Sequence, residues 1–129
     1  MLEPKEKKVE DTKLDKVNFT TIEENIDLVL SLSFAEGTEF GIDGFIMQRT
    51  PSLEYIVQPH ERGASIDWTD DDKIMLVKKV ELSKDVIKIY SQERNYEFDI
   101  SNLDEEEITE IVNILNKMNF DNSFTFEIK

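Results

Sequence analysis

Four aspartates, Asp67, Asp70, Asp71 and Asp72, crowd into one short stretch of a 129-residue chain. Clustered carboxylates are what hard cations such as Ca²⁺ prefer. A calcium loop, however, needs acids at alternating positions, a glycine in mid-loop and a closing glutamate, and this stretch has none of that order. Acid–base chemistry has little more to work with. His60 is the only histidine, set between Pro59 and Glu61 in what reads as an exposed loop. There is no cysteine to act as a nucleophile and no Gly-x-Ser-x-Gly turn. The four glycines form neither a Walker loop nor a dinucleotide fingerprint. Among 29 acids some carboxylate pair will always look catalytic, so such a pair carries no weight. The sequence therefore predicts no enzyme, no metal site and no cofactor.

The same acids point to recognition when Trp68 is read with them. Trp68, the single tryptophan, is flanked by Asp67 and by the run Asp70 to Asp72. One reading makes it a core aromatic, because large rings dominate interiors. The other makes it the anchor of an interface whose acidic rim steers a basic partner, since tryptophan is enriched at binding hot spots and rim charges raise association rates. The glycine-bearing stretch from Glu36 to Asp43, with Glu36 and Glu39, is expected to complete that rim or to be a plain surface connection. The predicted partner-binding set is thus Asp67, Trp68, Asp70, Asp71, Asp72, Glu36 and Glu39.

Charge sets the sign of the partner. The net charge is −14, and Met1 to Lys16 balances five lysines against five acids, so the imbalance falls on the rest of the chain. Such a surface repels nucleic acid and anionic membranes and attracts basic proteins, although an acidic surface also simply keeps a protein soluble. No apolar run reaches the roughly 18 residues of a membrane span, and Met1 to Lys16 lacks the apolar stretch of a secretion signal. With no cysteines, the chain suits a reducing compartment, and a cytoplasmic location is expected.

The elements that must position these residues follow from periodicity. Residues 1–16 read as a disordered charged tail and 17–129 as one acidic domain. Val17, Phe19 and Thr21 start a strand. Leu28, Leu30, Leu32 and Phe34 alternate with polar and small residues as a strand with one buried face. Phe45 to Gln48 is another, ended by Pro51; Leu53 to Val57 and Ala64 to Trp68 are further candidates. Leu76, Lys78, Val80 and Leu82 share one side of a strand that turns at Ser83-Lys84-Asp85 into Val86 to Tyr90. Tyr96, Phe98 and Ile100 form the next.

A helix is predicted from about Leu103 to Met118, capped by Asn102 with Glu105, and carrying an apolar stripe of Ile108, Ile111, Val112, Leu115 and Met118. Asn119 is expected to close it in the left-handed conformation. The acids Asp104 to Glu107 need only the helix dipole to explain them. Phe124, Phe126 and Ile128 suggest a last strand. The fold class is α+β, a mainly antiparallel β-sheet meander of six to eight strands with one C-terminal amphipathic helix packed on it.

The segments Gly44-Phe45-Ile46-Met47-Gln48-Arg49, Ala64 to Trp68, Val80-Glu81-Leu82-Ser83-Lys84-Asp85-Val86 and Tyr96 to Ile100, running directly into the acidic helix, resemble the polymorphic-toxin immunity proteins of the tenth numbered immunity family. The resemblance covers about Ile26 to Phe120 and rests on strand and hairpin patterns. Asp70 to Met75 stands where that family has a glycine-rich stretch. No site residue carries over. The resemblance implies a small cytoplasmic antidote that binds a cognate toxin domain, often a nuclease. The alternatives are a phage or plasmid counter-defence protein that imitates the charge of DNA, a structural phage or secretion-system component, and a small hydrolase or metal-dependent enzyme, which a bound metal or a deep pocket holding His60 beside carboxylates would favour.

Overall fold

Alternating apolar residues build most of the molecule. The computed structural model describes residues 15–34, 44–66, 75–92 and 94–129. Within them lie eight strands: β1 (Asp15–Glu24), β2 (Leu28–Phe34), β3 (Gly44–Arg49), β4 (Ser65–Ile66), β5 (Met75–Leu82), β6 (Val86–Ser91), β7 (Asn95–Asp99) and β8 (Thr125–Ile128), with one α-helix, α1 (Glu105–Met118). They form a mixed, sheet-dominated α+β structure. The order is β4-β3-β2-β1-β7-β6-β5-β8, and β4 also pairs with β5, so the sheet closes on itself. Two narrow seams complete the ring: β4, two residues long, and a parallel contact of Asp15 and Lys16 with Phe98 and Asp99. Beyond β4, the same edge of β5 carries β8 in parallel, Lys79 to Leu82 facing Thr125 to Ile128.

The inward positions make a single core. Leu30, Leu32, Phe45, Met47, Val80, Ile87 and Ile89 are fully enclosed. Phe34, Phe45, Tyr96 and Phe98 pack their rings with centroids 5.0–6.4 Å apart. Helix α1 lies against β1 and β2 and drives Ile111, Ile114, Leu115 and Met118 into the same cluster. Ile108 and Val112, expected on the stripe, are only partly buried, and Ile114 takes the deeper place. At Gly44 the backbone of β3 runs so close to β2 that a Cβ would sit 2.9 Å from the Leu32 carbonyl oxygen.

Several local expectations are corrected. Strand β1 starts at Asp15, two residues ahead of Val17, where the sequence reading begins it. Its register with β2 slips between Val17 and Phe19, a β-bulge at Asn18 that keeps Val17 inside and turns Phe19 out. A second slip, between Val77 and Lys79, makes Lys78 the extra residue, so it is exposed instead of sharing the face of Val80 and Leu82.

Leu53 to Val57 is no strand: Pro51–Ile56 winds as a 3₁₀ helix, closed by Leu53 N–H donating to the Thr50 carbonyl and Val57 N–H to that of Glu54, each at 3.1 Å. Proline at its first position has its φ already set for that turn and lacks only an N–H that would be unpaired there. The α1 cap is Asp104, whose carboxylate accepts from Glu107 N–H at 2.8 Å while Glu107 accepts from Asp104 N–H at 3.1 Å. The capping box predicted at Asn102 and Glu105 is therefore shifted by two residues. Asn119 keeps φ −98°, and among the described residues Asn122 is the non-glycine residue with a left-handed φ, 58°.

Candidate functional site

The alternation of β3 does not stop at Met47. Phe45, Met47 and Arg49 all face inward, and Arg49 is the buried charged residue among the described residues, 2% exposed. A guanidinium taken out of water needs acceptors for its whole fork. The chain supplies them from two directions. Nε donates to Glu54 Oε2 at 2.7 Å and Nη2 to Glu54 Oε1 at 2.9 Å. Nη2 and Nη1 donate to Asp121 Oδ2 at 2.8 Å and Oδ1 at 2.9 Å. Nη1 also reaches the Met118 carbonyl at 2.6 Å and Ser123 Oγ at 3.2 Å. Two bidentate carboxylates gripping one guanidinium is among the strongest side-chain arrangements available.

Electrostatics follow the geometry. Burial alone would pull the Arg49 guanidinium down; the bonds to Asp121 and Glu54 more than reverse this and hold it above its usual range. The hydrogen bond from Arg49 pushes the Asp121 carboxyl down to about 2. The node is saturated, so it positions its surroundings and has no N–H left for a ligand. Glu54 Oε2 additionally accepts from Gly63 N–H at 3.3 Å, where φ of +140° suits glycine, and this leads the chain back into β4.

Around the node lies an apolar surface. The Phe120 ring stacks on the Arg49 guanidinium, Cζ to centroid 4.3 Å, and leaves 58% of its residue exposed. The 3₁₀ turn holds Glu54 inward and presents Leu53, Tyr55 and Ile56 outward, with Tyr55 75% and Ile56 65% exposed. Ile26 in the β1–β2 turn is exposed too, and its neighbour Asp27 accepts from Thr50 Oγ1 at 2.6 Å, tying that turn to the head of the 3₁₀ helix. Five of the seven exposed large hydrophobics of the described residues thus gather at this end of the sheet. Beside them lies a cleft of about 290 Å³ lined by Leu53, Glu54, Ile56, Val57, Glu61 and Leu76 among others. Grouped apolar exposure of this kind, rimmed by polar residues, marks interaction sites.

The structure does not describe the partner-binding residues read from the sequence. Asp67, Trp68, Asp70, Asp71 and Asp72, and likewise Glu36 and Glu39, fall outside the described residues, so the structure neither assembles nor separates them. Their described neighbours do share one neighbourhood: Phe34 and Gly44 bracket one segment, Ile66 and Met75 the other, and β3 pairs with both β2 and β4. His60 sits exposed on a second 3₁₀ turn, Pro59–Glu61. Among the described residues no three His, Cys, Asp or Glu side chains are grouped to hold a metal ion, and no helix is long and apolar enough to cross a membrane.

The sequence reading missed Arg49 and the apolar end around it. Period-two spacing through Phe45 and Met47 does reach Arg49, but a charge at an inward position looks like the end of the pattern rather than its most constrained member. Leu53, Tyr55 and Val57 alternate as a strand would, and that masked the signal of Pro51 at a helical first position. No family model, curated protein or solved structure matches the chain.

Proposed function

We propose that this protein is a non-catalytic, cytoplasmic inhibitor of the immunity type that binds and neutralises a basic toxin domain. The observation that carries the reading is the cluster of Leu53, Tyr55, Ile56 and Phe120 at one end of a chain with net charge −14. An apolar centre within an acidic surface is the form expected of a protein that docks on a basic protein, the centre supplying affinity and the rim supplying rate. The resemblance of the strand and hairpin segments to an immunity family supports the same class.

The charge arrangement on the outer sheet favours a protein target over imitation of DNA. A DNA mimic needs carboxylates in rows at phosphate-like spacing. Here Glu81 and Glu127 interleave with Lys79 and Lys129, Lys88 pairs with Glu97, and Lys16 pairs with Asp99.

Affinity capture from the native host, identification of the bound protein and co-expression with it in a neutral host test the reading. A basic partner whose expression arrests growth, with growth restored by this chain, is the expected outcome. Capture of a partner that is neither basic nor toxic, or a toxic partner whose effect persists, overturns it.

A further inference from the structure

We infer that the cleft between the 3₁₀ turn and β5 is an anchor pocket that receives one apolar side chain from a lysine- or arginine-rich segment of the partner. The inference rests on the reading of the protein as a binder of a basic protein, and it locates the apolar anchor at the Arg49 end, leaving the acidic stretches read from the sequence to act on the rate of encounter.

Size and lining select a side chain. Sites for small organic molecules enclose most of the ligand; this cleft, at about 290 Å³, is at the bottom of their roughly 300–1,000 Å³ range and lies open to the surface. Leu53, Ile56, Val57 and Leu76 give it apolar walls. Its charged donors are already committed: the Arg49 fork is saturated and the nearby Arg62 guanidinium donates to the Val57 carbonyl at 3.0 and 3.3 Å. An anionic ligand would find no free cation there. An aliphatic or aromatic group would find contact on three sides.

Charge selects what flanks that side chain. Asp27, Glu54, Glu61 and Asp121 surround the apolar surface, against the two guanidiniums of Arg49 and Arg62, both committed internally. Glu54 and Asp121 are paired with Arg49, but the group still holds two more carboxylates than guanidiniums, an excess that a basic segment meets and an acidic one would add to. The walls are also pre-formed. Glu54 is fixed by Arg49 from within, and this holds the turn that carries Leu53 and Ile56 in place before any partner arrives. A pre-ordered site loses less conformational freedom on association.

The test uses a labelled lysine-rich peptide with one central leucine, a counterpart with serine at that position, and a glutamate-rich counterpart that keeps the leucine. Fluorescence anisotropy at low salt, with backbone amide shifts mapped by NMR, reads binding. The leucine peptide is expected to bind about tenfold more tightly than the serine peptide, the difference that burial of one apolar side chain gives, and the glutamate peptide not to bind. Shifts should gather on residues 53–57 and on Leu76. Ile56→Ser should abolish the difference between the leucine and serine peptides, while Ile128→Ser, another exposed apolar change but on β8, should leave it intact.

Equal binding of the two lysine peptides, shifts centred on the helix start instead, or an unaffected Ile56→Ser variant overturns the pocket. So does concentration-dependent self-association that Ile56→Ser abolishes, since a second copy would then be the occupant. If the wild-type chain neutralises a basic toxin but Ile56→Ser does so equally well, only the pocket falls. If the peptide binds here and no toxic partner exists, only the immunity reading falls.

Discussion

Arg49 on β3 grips Asp121, 72 residues further along the chain, through two parallel hydrogen bonds of 2.9 and 2.8 Å. Through this pair, and through Glu54 on its other flank, the end of β3, the 3₁₀ turn and the residues that follow α1 become one unit. The apolar end of the molecule is built on that unit.

Removing the cation should therefore cost more than an ordinary surface ion pair. Arg49→Ala leaves Glu54 and Asp121 facing each other with no counter-charge, and a loss of about 3 kcal/mol in urea denaturation is expected. That is the lower end of the range for one partner lost from a buried pair, because Asp121 keeps contact with water. Arg49→Lys should recover less than half of it, since one ammonium cannot meet two carboxylates edge-on. A loss below about 0.5 kcal/mol for Arg49→Ala, typical of exposed pairs, would show that the node does not hold this end together.

The same node sets an acid limb. In the folded protein the Asp121 carboxyl is held at about 2, below its ordinary 3.8, by the Arg49 hydrogen bond. A lowered folded value means stability that is fully present above about pH 4 and is lost as pH falls toward 2. Thermal melts of wild type and Asp121→Asn should differ at neutral pH and converge through that window. Parallel curves between pH 5 and 2 would place the acid sensitivity elsewhere.

Capping gives a sharper discrimination. Asp104→Ala should lower stability by about 1 kcal/mol, the usual cost of a lost N-cap, whereas Asn102→Ala should change it by less than about 0.3 kcal/mol. Chemical denaturation of the two variants decides the register of the helix start, and the reverse ranking would restore the cap to Asn102.

In the core, Ile114→Ala and Leu115→Ala should each destabilise by about 2–5 kcal/mol, as large-to-small changes in packed interiors do. Val112→Ala, only partly buried, should cost clearly less. If Val112 proved as costly as Ile114, the buried face of α1 would be rotated from the one described.

Charge reversal of Asp70, Asp71 and Asp72 to lysine tests the acidic stretch independently of the cleft. Association with the cognate partner should slow by about tenfold at low salt while dissociation changes little, and the salt dependence should flatten. Stopped-flow traces that superimpose on those of wild type would remove these aspartates from the encounter surface.

What the sequence reveals is local. Leu28 to Phe34, the hairpin turning at Ser83 to Asp85, and the spacing of Ile111, Leu115 and Met118 are repeats that one element imposes on its own residues, and the structure shows them as read. What it conceals is relational. The parallel contacts of β1 with β7 and of β5 with β8 join residues far apart in the chain, with no turn to announce them. The bulges at Asn18 and Lys78 are single extra residues that reverse inside and outside without changing composition. Arg49 sits where alternation points, but the acceptors that make the position tenable come from a turn and from the far side of the helix.

The joining of β8 to β5 also dictates a timetable. Lys79 to Leu82 are made well before Thr125 to Ile128, and that edge of β5 lacks its β8 partner meanwhile. The hairpin of β5 and β6 needs only neighbouring residues, but this seam cannot be sealed until residues 125–128 are available. Distant pairings of this kind slow folding and lengthen the interval in which an open edge can recruit the wrong neighbour. Lys78 and Lys79 place charge on that strand, a feature that discourages such encounters until β8 is in place.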